Sequence, residues 1–178
     1  MKLVFSHGME SGPCGYKIKH LAPVAELHGL DVESIDYTDT RDVGVRVERL
    51  ISVLKHEPEP VILLGSSMGG YASVVASETI ETHGMFLLAP ALYIPGFGKQ
   101  KYASSSPHTE IVHGWSDEVV PVDNVIRYAR EATCYLHILS ENHNLNGSIA
   151  VIERLFDAFL SKVLALPGRD FRRQLPVN

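Results

Sequence analysis

Cysteine is scarce in this sequence, and its two copies, Cys14 and Cys134, lie far apart with no CxxC and no Cys/His spacing. That pattern excludes the familiar zinc and dithiol signatures, so no metal is expected and both thiols read as buried and free. Long hydrophobic runs are also missing. Met1 to Phe5 opens like a secretory n-region, but the apolar stretch stops at Ser6-His7-Gly8, too short for a signal core or a membrane span. A cytoplasmic location is the expectation. Positive charge is in deficit, with 16 Lys and Arg against 21 Asp and Glu, a net charge of −5 and a pI near 6.0. No basic field is left for nucleic acid. No GxxxxGK pattern is present, and Gly96-Phe97-Gly98 lacks the third glycine of a dinucleotide fingerprint, so no cofactor is expected. Asn146-Gly147-Ser148 matches a glycosylation acceptor, a match without chemical consequence in the absence of a secretory signal.

What is present is the profile of one globular domain. The 178 residues are 45% hydrophobic and 21% charged, a chain long enough to bury roughly 70% of its unfolded surface. The domain is placed at residues 1–167, with a polar, patternless tail over 168–178 that is expected to fray. Short apolar runs alternate with amphipathic stretches throughout, the signature of βα units and a parallel sheet between two helical layers. The expected strands are 3–6, 31–36, 61–64, 85–88, 110–113 and 135–139. The expected helices are 15–28, 43–56, 68–82, 122–131 and 148–166. The last is the clearest, because Ile149, Ile152, Leu155, Phe156, Phe159, Val163 and Leu164 recur at three- and four-residue steps. Only 89–107 breaks the rhythm, where Pro90, Pro95, Gly96 and Gly98 prevent any long element. That interval reads as the rim of a pocket.

Leu63 to Gly70 drives an apolar strand straight into GxSxG, with Ser67 at its centre. A serine on a sharp strand-to-helix turn sits in strained backbone, so the positions two before and two after must be nearly free of side chain, and Gly65 and Gly69 meet that demand. Any Gly-rich turn can show the pattern by chance, so its partners carry the weight. If Ser67 attacks a carbonyl, a base must take its proton and an acid must orient that base. Asp117 follows the fifth strand in a loop ahead of Pro121; Glu118 and Asp123 are alternatives, although Asp123 looks like a helix N-cap. His143 follows the sixth strand in a polar loop and is the only one of nine histidines lying late in the chain in a loop. His20, His28 and His56 fall on helices and read as solvated, and His137 reads as packed within a strand. The order Ser67, Asp117, His143 puts each group beyond a strand's C-terminal end, where open α/β sheets bind ligands. The loop His7 to Pro13 could turn the amide of Met9 toward the nucleophile as half an oxyanion hole, the amide of Met68 supplying the other half. His7 itself reads as a brace for that loop.

With these pieces in place the chain resembles the α/β-hydrolase superfamily, in particular its small, lidless bacterial members such as the YqiA-like esterases. His7-Gly8 with Ser11-Gly12-Pro13 looks like the oxyanion loop, Gly65 to Gly69 the nucleophile elbow, His113-Gly114 through Asp117 to Val120-Pro121 the acid loop, and His143 the base. The resemblance implies a three-layer α/β/α sandwich around a mainly parallel sheet of about six strands, a minimal core without the extra antiparallel strands or the cap seen elsewhere. It also implies hydrolysis of a small ester, thioester or amide through an acyl-enzyme, with Ser67 attacking, His143 moving the proton and Asp117 holding the imidazole. A small acyl compound is the expected partner. Met9, Met68, Leu92, Tyr93, Phe97 and Trp115 are expected to wall the pocket. The rival reading from another class is a ligand-binding protein on the same fold whose triad is slow or vestigial.

Overall fold

Apolar side chains on both faces of a strand can be buried only in a sheet covered on both sides, and the central runs of this chain are of that kind. In a computed structural model, which describes residues 1–103, 106 and 108–166, six strands form: β1 (Lys2–Ser6), β2 (Asp31–Ile35), β3 (Val61–Ser66), β4 (Thr82–Leu88), β5 (Thr109–Gly114) and β6 (Tyr135–Leu139). Every neighbouring pair is parallel, and the order across the sheet is β2-β1-β3-β4-β5-β6. Five helices connect them: α1 (Tyr16–Leu27), α2 (Val43–Leu54), α3 (Met68–Ser77), α4 (Val122–Ala132) and α5 (Ile149–Leu164).

The period of two along each strand divides the core. Leu3, Phe5, Ile62, Leu64, Phe86, Leu88 and Val112 face one way, into a cluster completed by Ile18 and Leu21 of α1 and Ile152, Phe156, Phe159 and Val163 of α5. Val4, Leu63, Met85, Leu87 and Ile111 face the other way, against Leu50 of α2, Tyr71 and Val74 of α3 and Val125 and Tyr128 of α4. The result is the three-layer α/β/α sandwich that the alternation of elements implies. Asp42 starts α2 by accepting from the amides of Gly44 and Val45 at 2.7 and 3.1 Å, which satisfies two of the donors that a helix start leaves open.

Three expectations need correction. The helix expected over 68–82 stops at Ser77, and the chain returns to the sheet at Thr82, whose pairing partner is Val61. Sheet pairing, a long-range gain, wins over helical periodicity there. Asp123 does not cap α4; Pro121 does, and Asp123 lies exposed in the first turn. The thiols are not both buried: Cys14 is exposed, whereas burial pushes the Cys134 thiol up to about 11. The tail over 168–178, and residues 104, 105 and 107 of the expected rim, lie outside the described residues.

Candidate active site

Because all six strands run the same way, the loops after β1, β3, β5 and β6 gather at one edge of the sheet. The strand order reverses between β1 and β3, the switch point where open α/β sheets form a crevice. Ser67 stands at that point, in the backbone conformation φ 52°, ψ −118°. A non-glycine residue there carries strain of about 1–3 kcal/mol and persists only where its surroundings over-determine it. They do so here. The Ser67 amide donates to the carbonyl of Leu88 at 2.9 Å, and its own carbonyl accepts from the amides of Ala91 at 3.0 Å and Tyr71 at 3.1 Å. Gly69 lets this turn press against β1, since a Cβ on it would stand 1.9 Å from the carbonyl oxygen of Ser6.

The acid and base loops are locked together by an equally close approach. A Cβ on Gly114 would stand 2.2 Å from the carbonyl oxygen of Glu141, and the amides of Trp115 and Ser116 donate to the carbonyls of Leu139 and Glu141, both at 2.9 Å. The loop after β5 is thereby registered on the loop after β6. Leu145, fully buried, anchors the far end of the second loop. Between these fixed points Asp117 Oδ2 accepts from His143 Nδ1 at 2.7 Å, and Ser67 Oγ donates to His143 Nε2 at 2.9 Å. Asp117 Oδ1 accepts from the amides of Val119 at 2.9 Å and Val120 at 2.8 Å. Burial pushes the Asp117 carboxyl up, but the bonds from His143 and from these amides outweigh it and hold the group below its ordinary range. Glu118, the alternative acid, is exposed. A hydroxyl, an imidazole and an ionised carboxylate in this chain of contacts can move a proton off the serine and stabilise the imidazolium that results.

Two further side chains support the arrangement; Arg46 has no part in the sequence reading, and His113 only a place in the acid-loop motif. His113 is fully buried; its Nε2 donates to the carbonyl of Val120 at 3.0 Å and lies 3.2 Å from Asp117 Oδ2. Burial holds its pKa below the ordinary value, which favours the neutral ring beside the carboxylate. Arg46, 1% exposed, reaches under the loop after β1, with Nη1 donating to the carbonyl of His7 at 3.3 Å and Nη2 to those of Tyr37 at 3.3 Å and Thr40 at 2.9 Å. Only the fold brings three carbonyls to it.

His7 braces the same loop, its Nδ1 donating to the carbonyl of Gly8 at 2.7 Å and its Nε2 accepting from the amide of Tyr37 at 3.1 Å. Gly8 is so close to the serine that a Cβ on it would stand 3.3 Å from the Cβ of Ser67. Met9 follows, 41% exposed, and Met68 opens α3. Trp115 is 60% exposed at the rim. Leu92 is corrected: it is fully buried in the core cluster of α2, α3 and α4 and presents no face to a ligand. Tyr93 and Phe97 are drawn into an aromatic cluster over α3 and α4, Phe97 edge-on to Tyr71 at 4.9 Å and Tyr93 to Tyr102 at 5.1 Å. The guanidinium of Arg127 covers the Tyr93 ring at 4.1 Å, and the Tyr93 hydroxyl donates to Glu131 at 2.7 Å. Nor are His20 and His28 simply solvated, since they meet Glu153 and Asp157 of α5, each at 2.8 Å. No helix among the described residues is long and apolar enough to cross a membrane.

The family model described as an uncharacterised protein family, UPF0227, matches residues 2–102. A comparison with curated proteins finds no match. Among solved structures, a candidate hydrolase of the alpha/beta superfamily from Xanthomonas campestris pv. campestris superimposes with a TM-score of 0.84 at 31% identity, over 90% of this chain and 98% of that one. A serine hydrolase without a lid, also from Xanthomonas campestris, gives a TM-score of 0.78 at 17% identity over 93% of this chain and 83% of that one. Est1E from Butyrivibrio proteoclasticus gives 0.78 at 15% identity over 92% of this chain and 88% of that one. The last two likenesses are of fold alone.

Proposed function

Because the chain belongs to the uncharacterised family UPF0227 and, by its fold, to the α/β-hydrolase superfamily, we propose that it is a serine hydrolase that cleaves small carboxylic esters or thioesters through an acyl-enzyme. The observation that carries this reading is the contact chain from Ser67 Oγ through His143 to Asp117 Oδ2, at 2.9 and 2.7 Å. Ser67 Oγ attacks the acyl carbon while His143 Nε2 takes its proton. The Asp117 carboxylate keeps the second imidazole proton on Nδ1, which leaves Nε2 free to accept, and it balances the imidazolium charge. Negative charge developing on the acyl oxygen is received by the amides of Met68 and Met9. Met68 lies at the positive end of the α3 dipole, and each donor of this type is typically worth about 3 kcal/mol.

Collapse of the tetrahedral intermediate then breaks the bond to the alcohol or thiol, which leaves with the proton from His143 Nε2. Water repeats the sequence in reverse on the acyl-enzyme and regenerates the Ser67 hydroxyl. Trp115, and the side chains of Met9 and Met68, form an apolar margin suited to a short acyl chain.

Labelling with a fluorophosphonate probe tests the reading without knowledge of the substrate. Wild type is expected to label, with Ser67→Ala and His143→Ala silent, and then to hydrolyse short p-nitrophenyl esters. Folded wild type that neither labels nor turns over such esters would sink the hydrolase reading and favour the ligand-binding one.

A further inference from the structure

A cavity of about 120 Å³ opens beside the elbow, lined by Ser11 and Gly12 of the loop after β1, Lys17 of α1, Ser66 at the end of β3, and Asn144 and Asn146 beyond His143. Two of its lining residues are chain neighbours of the reacting groups, since Ser66 precedes Ser67 and Asn144 follows His143. Lys17 is the one cationic residue among those lining it. Its Nζ donates to Ser66 Oγ at 3.2 Å, and among the described residues it has no carboxylate within ion-pair distance. In a chain of net charge −5, a half-buried ammonium given one neutral partner is out of keeping with its surroundings. Burial lowers its pKa, and the field of Asp117 opposes the drop. An ammonium is poorly compensated in such a place unless a ligand supplies the counter-charge.

The lining by Asn144 and Asn146, just beyond His143, ties that counter-charge to one half of the substrate. The group that departs from the acyl carbon must take a proton from His143 Nε2, so it stands on the His143 side of Ser67. Asn144 and Asn146 continue the wall from that side into the cavity. We infer that Lys17 is a specificity-determining residue for esters or thioesters whose leaving alcohol or thiol bears a carboxylate on a short stem. The carboxylate occupies the cavity, accepts from Lys17 Nζ, and has the Ser66 and Ser11 hydroxyls and the Asn144 and Asn146 amides as further neighbours. This inference deepens the hydrolase reading and rests on it for the identity of the leaving group.

Binding and turnover are measured separately so that the two ideas can fail separately. The probes are S-butyryl-3-mercaptopropionate, which has an anionic leaving group, and S-butyrylpropanethiol, its neutral counterpart. In Ser67→Ala protein, calorimetric titration is expected to show the anionic thioester binding about tenfold tighter, a difference of ~1.4 kcal/mol. In the active enzyme, thiol release is expected to show the same preference in kcat/KM, carried by KM. Lys17→Met on either background removes the preference, and Lys17→Arg, which keeps the charge, retains it. Equal binding of the two thioesters, or a preference that survives Lys17→Met, overturns the assignment. So does a preference found instead for the propanethiol thioester of succinate, whose carboxylate is on the acyl half. Charge-selective binding that depends on Lys17, in a protein that neither turns over these thioesters nor labels with the fluorophosphonate, upholds the site and removes the hydrolase reading.

Discussion

Replacing Asp117 by Asn is the sharpest test of the proton path, because the structure fixes which way the new amide must turn. The carboxylate serves three donors: the amides of Val119 and Val120 on Oδ1, and His143 Nδ1 on Oδ2. If the asparagine oxygen stays with the two backbone amides, its NH2 group faces His143 Nδ1, donor against donor. If it turns the other way, both backbone amides lose their acceptor, at about 1–3 kcal/mol for the buried one of Val120. The first orientation wins. His143 then relieves the clash by carrying its proton on Nε2, and in that tautomer it cannot accept from Ser67. A base held in the wrong tautomer typically loses about 10⁴-fold in kcat, or ~5.5 kcal/mol of activation free energy. The assay is the initial rate on p-nitrophenyl butyrate together with the rate of fluorophosphonate labelling, on variant protein whose thermal melt shows it folded. A folded Asp117→Asn protein that works within about tenfold of wild type would refute this account of the site.

Gly69→Ala forces a Cβ to 1.9 Å from the carbonyl oxygen of Ser6, so either the elbow or β1 must move; loss of fluorophosphonate labelling is expected even if the protein melts cooperatively. Arg46→Met leaves the carbonyls of His7 and Thr40 without their side-chain donor, while that of Tyr37 keeps the Thr40 amide, and a fall in stability of about 2 kcal/mol in urea denaturation is expected, with Arg46→Lys recovering part of it. Burial holds the imidazoles of His7 and His113 below the ordinary value of 6.5, so on acidification the unfolded chain takes up protons first. Their contribution is therefore complete above about pH 6.5 and is lost as pH falls toward the folded-state values. The melting temperature should drop between pH 7 and 5, and a His7→Gln, His113→Gln double variant should show a shallower drop; equal slopes would contradict the neutral assignment. Trp115→Ala, at the exposed rim, should shift acyl-length preference at a stability cost of about 0.5 kcal/mol or less. Leu92→Ala should instead behave as a core truncation, costing about 2–5 kcal/mol in a thermal or urea melt.

Much of the site was legible because its chemistry is ordered along the chain. A serine between two glycines, an acid after the fifth strand and a histidine after the sixth are local patterns, each marked by the strand that ends just before it. Ser67, Asp117 and His143, which the fold brings within hydrogen-bond reach, are those residues. Arg46 and Lys17 were not legible as parts of the site, because their surroundings are made by distant segments. Arg46 meets carbonyls from the loops after β1 and β2, and Lys17 meets the end of β3. In sequence each is a charged or titratable residue on an ordinary element, with no neighbour that predicts its burial. Leu92 was misread for the converse reason, since an apolar residue in a Pro/Gly-broken segment gives no sign of whether it faces a pocket or the core.

The sequence by itself determined the class of fold, through the alternation of apolar runs with amphipathic stretches, and it determined the order in which the proposed nucleophile, acid and base appear. Both follow from periodicity and local steric demand, which act over a few residues. The tertiary structure alone decided the strand order, the end of α3, the burial of His113 beside Asp117, the cation beneath the loop after β1 and the lysine beside the elbow. Those depend on which surfaces are pressed together and deprived of water. Desolvation is a property of the packed assembly, and it turns ordinary side chains into parts of a site.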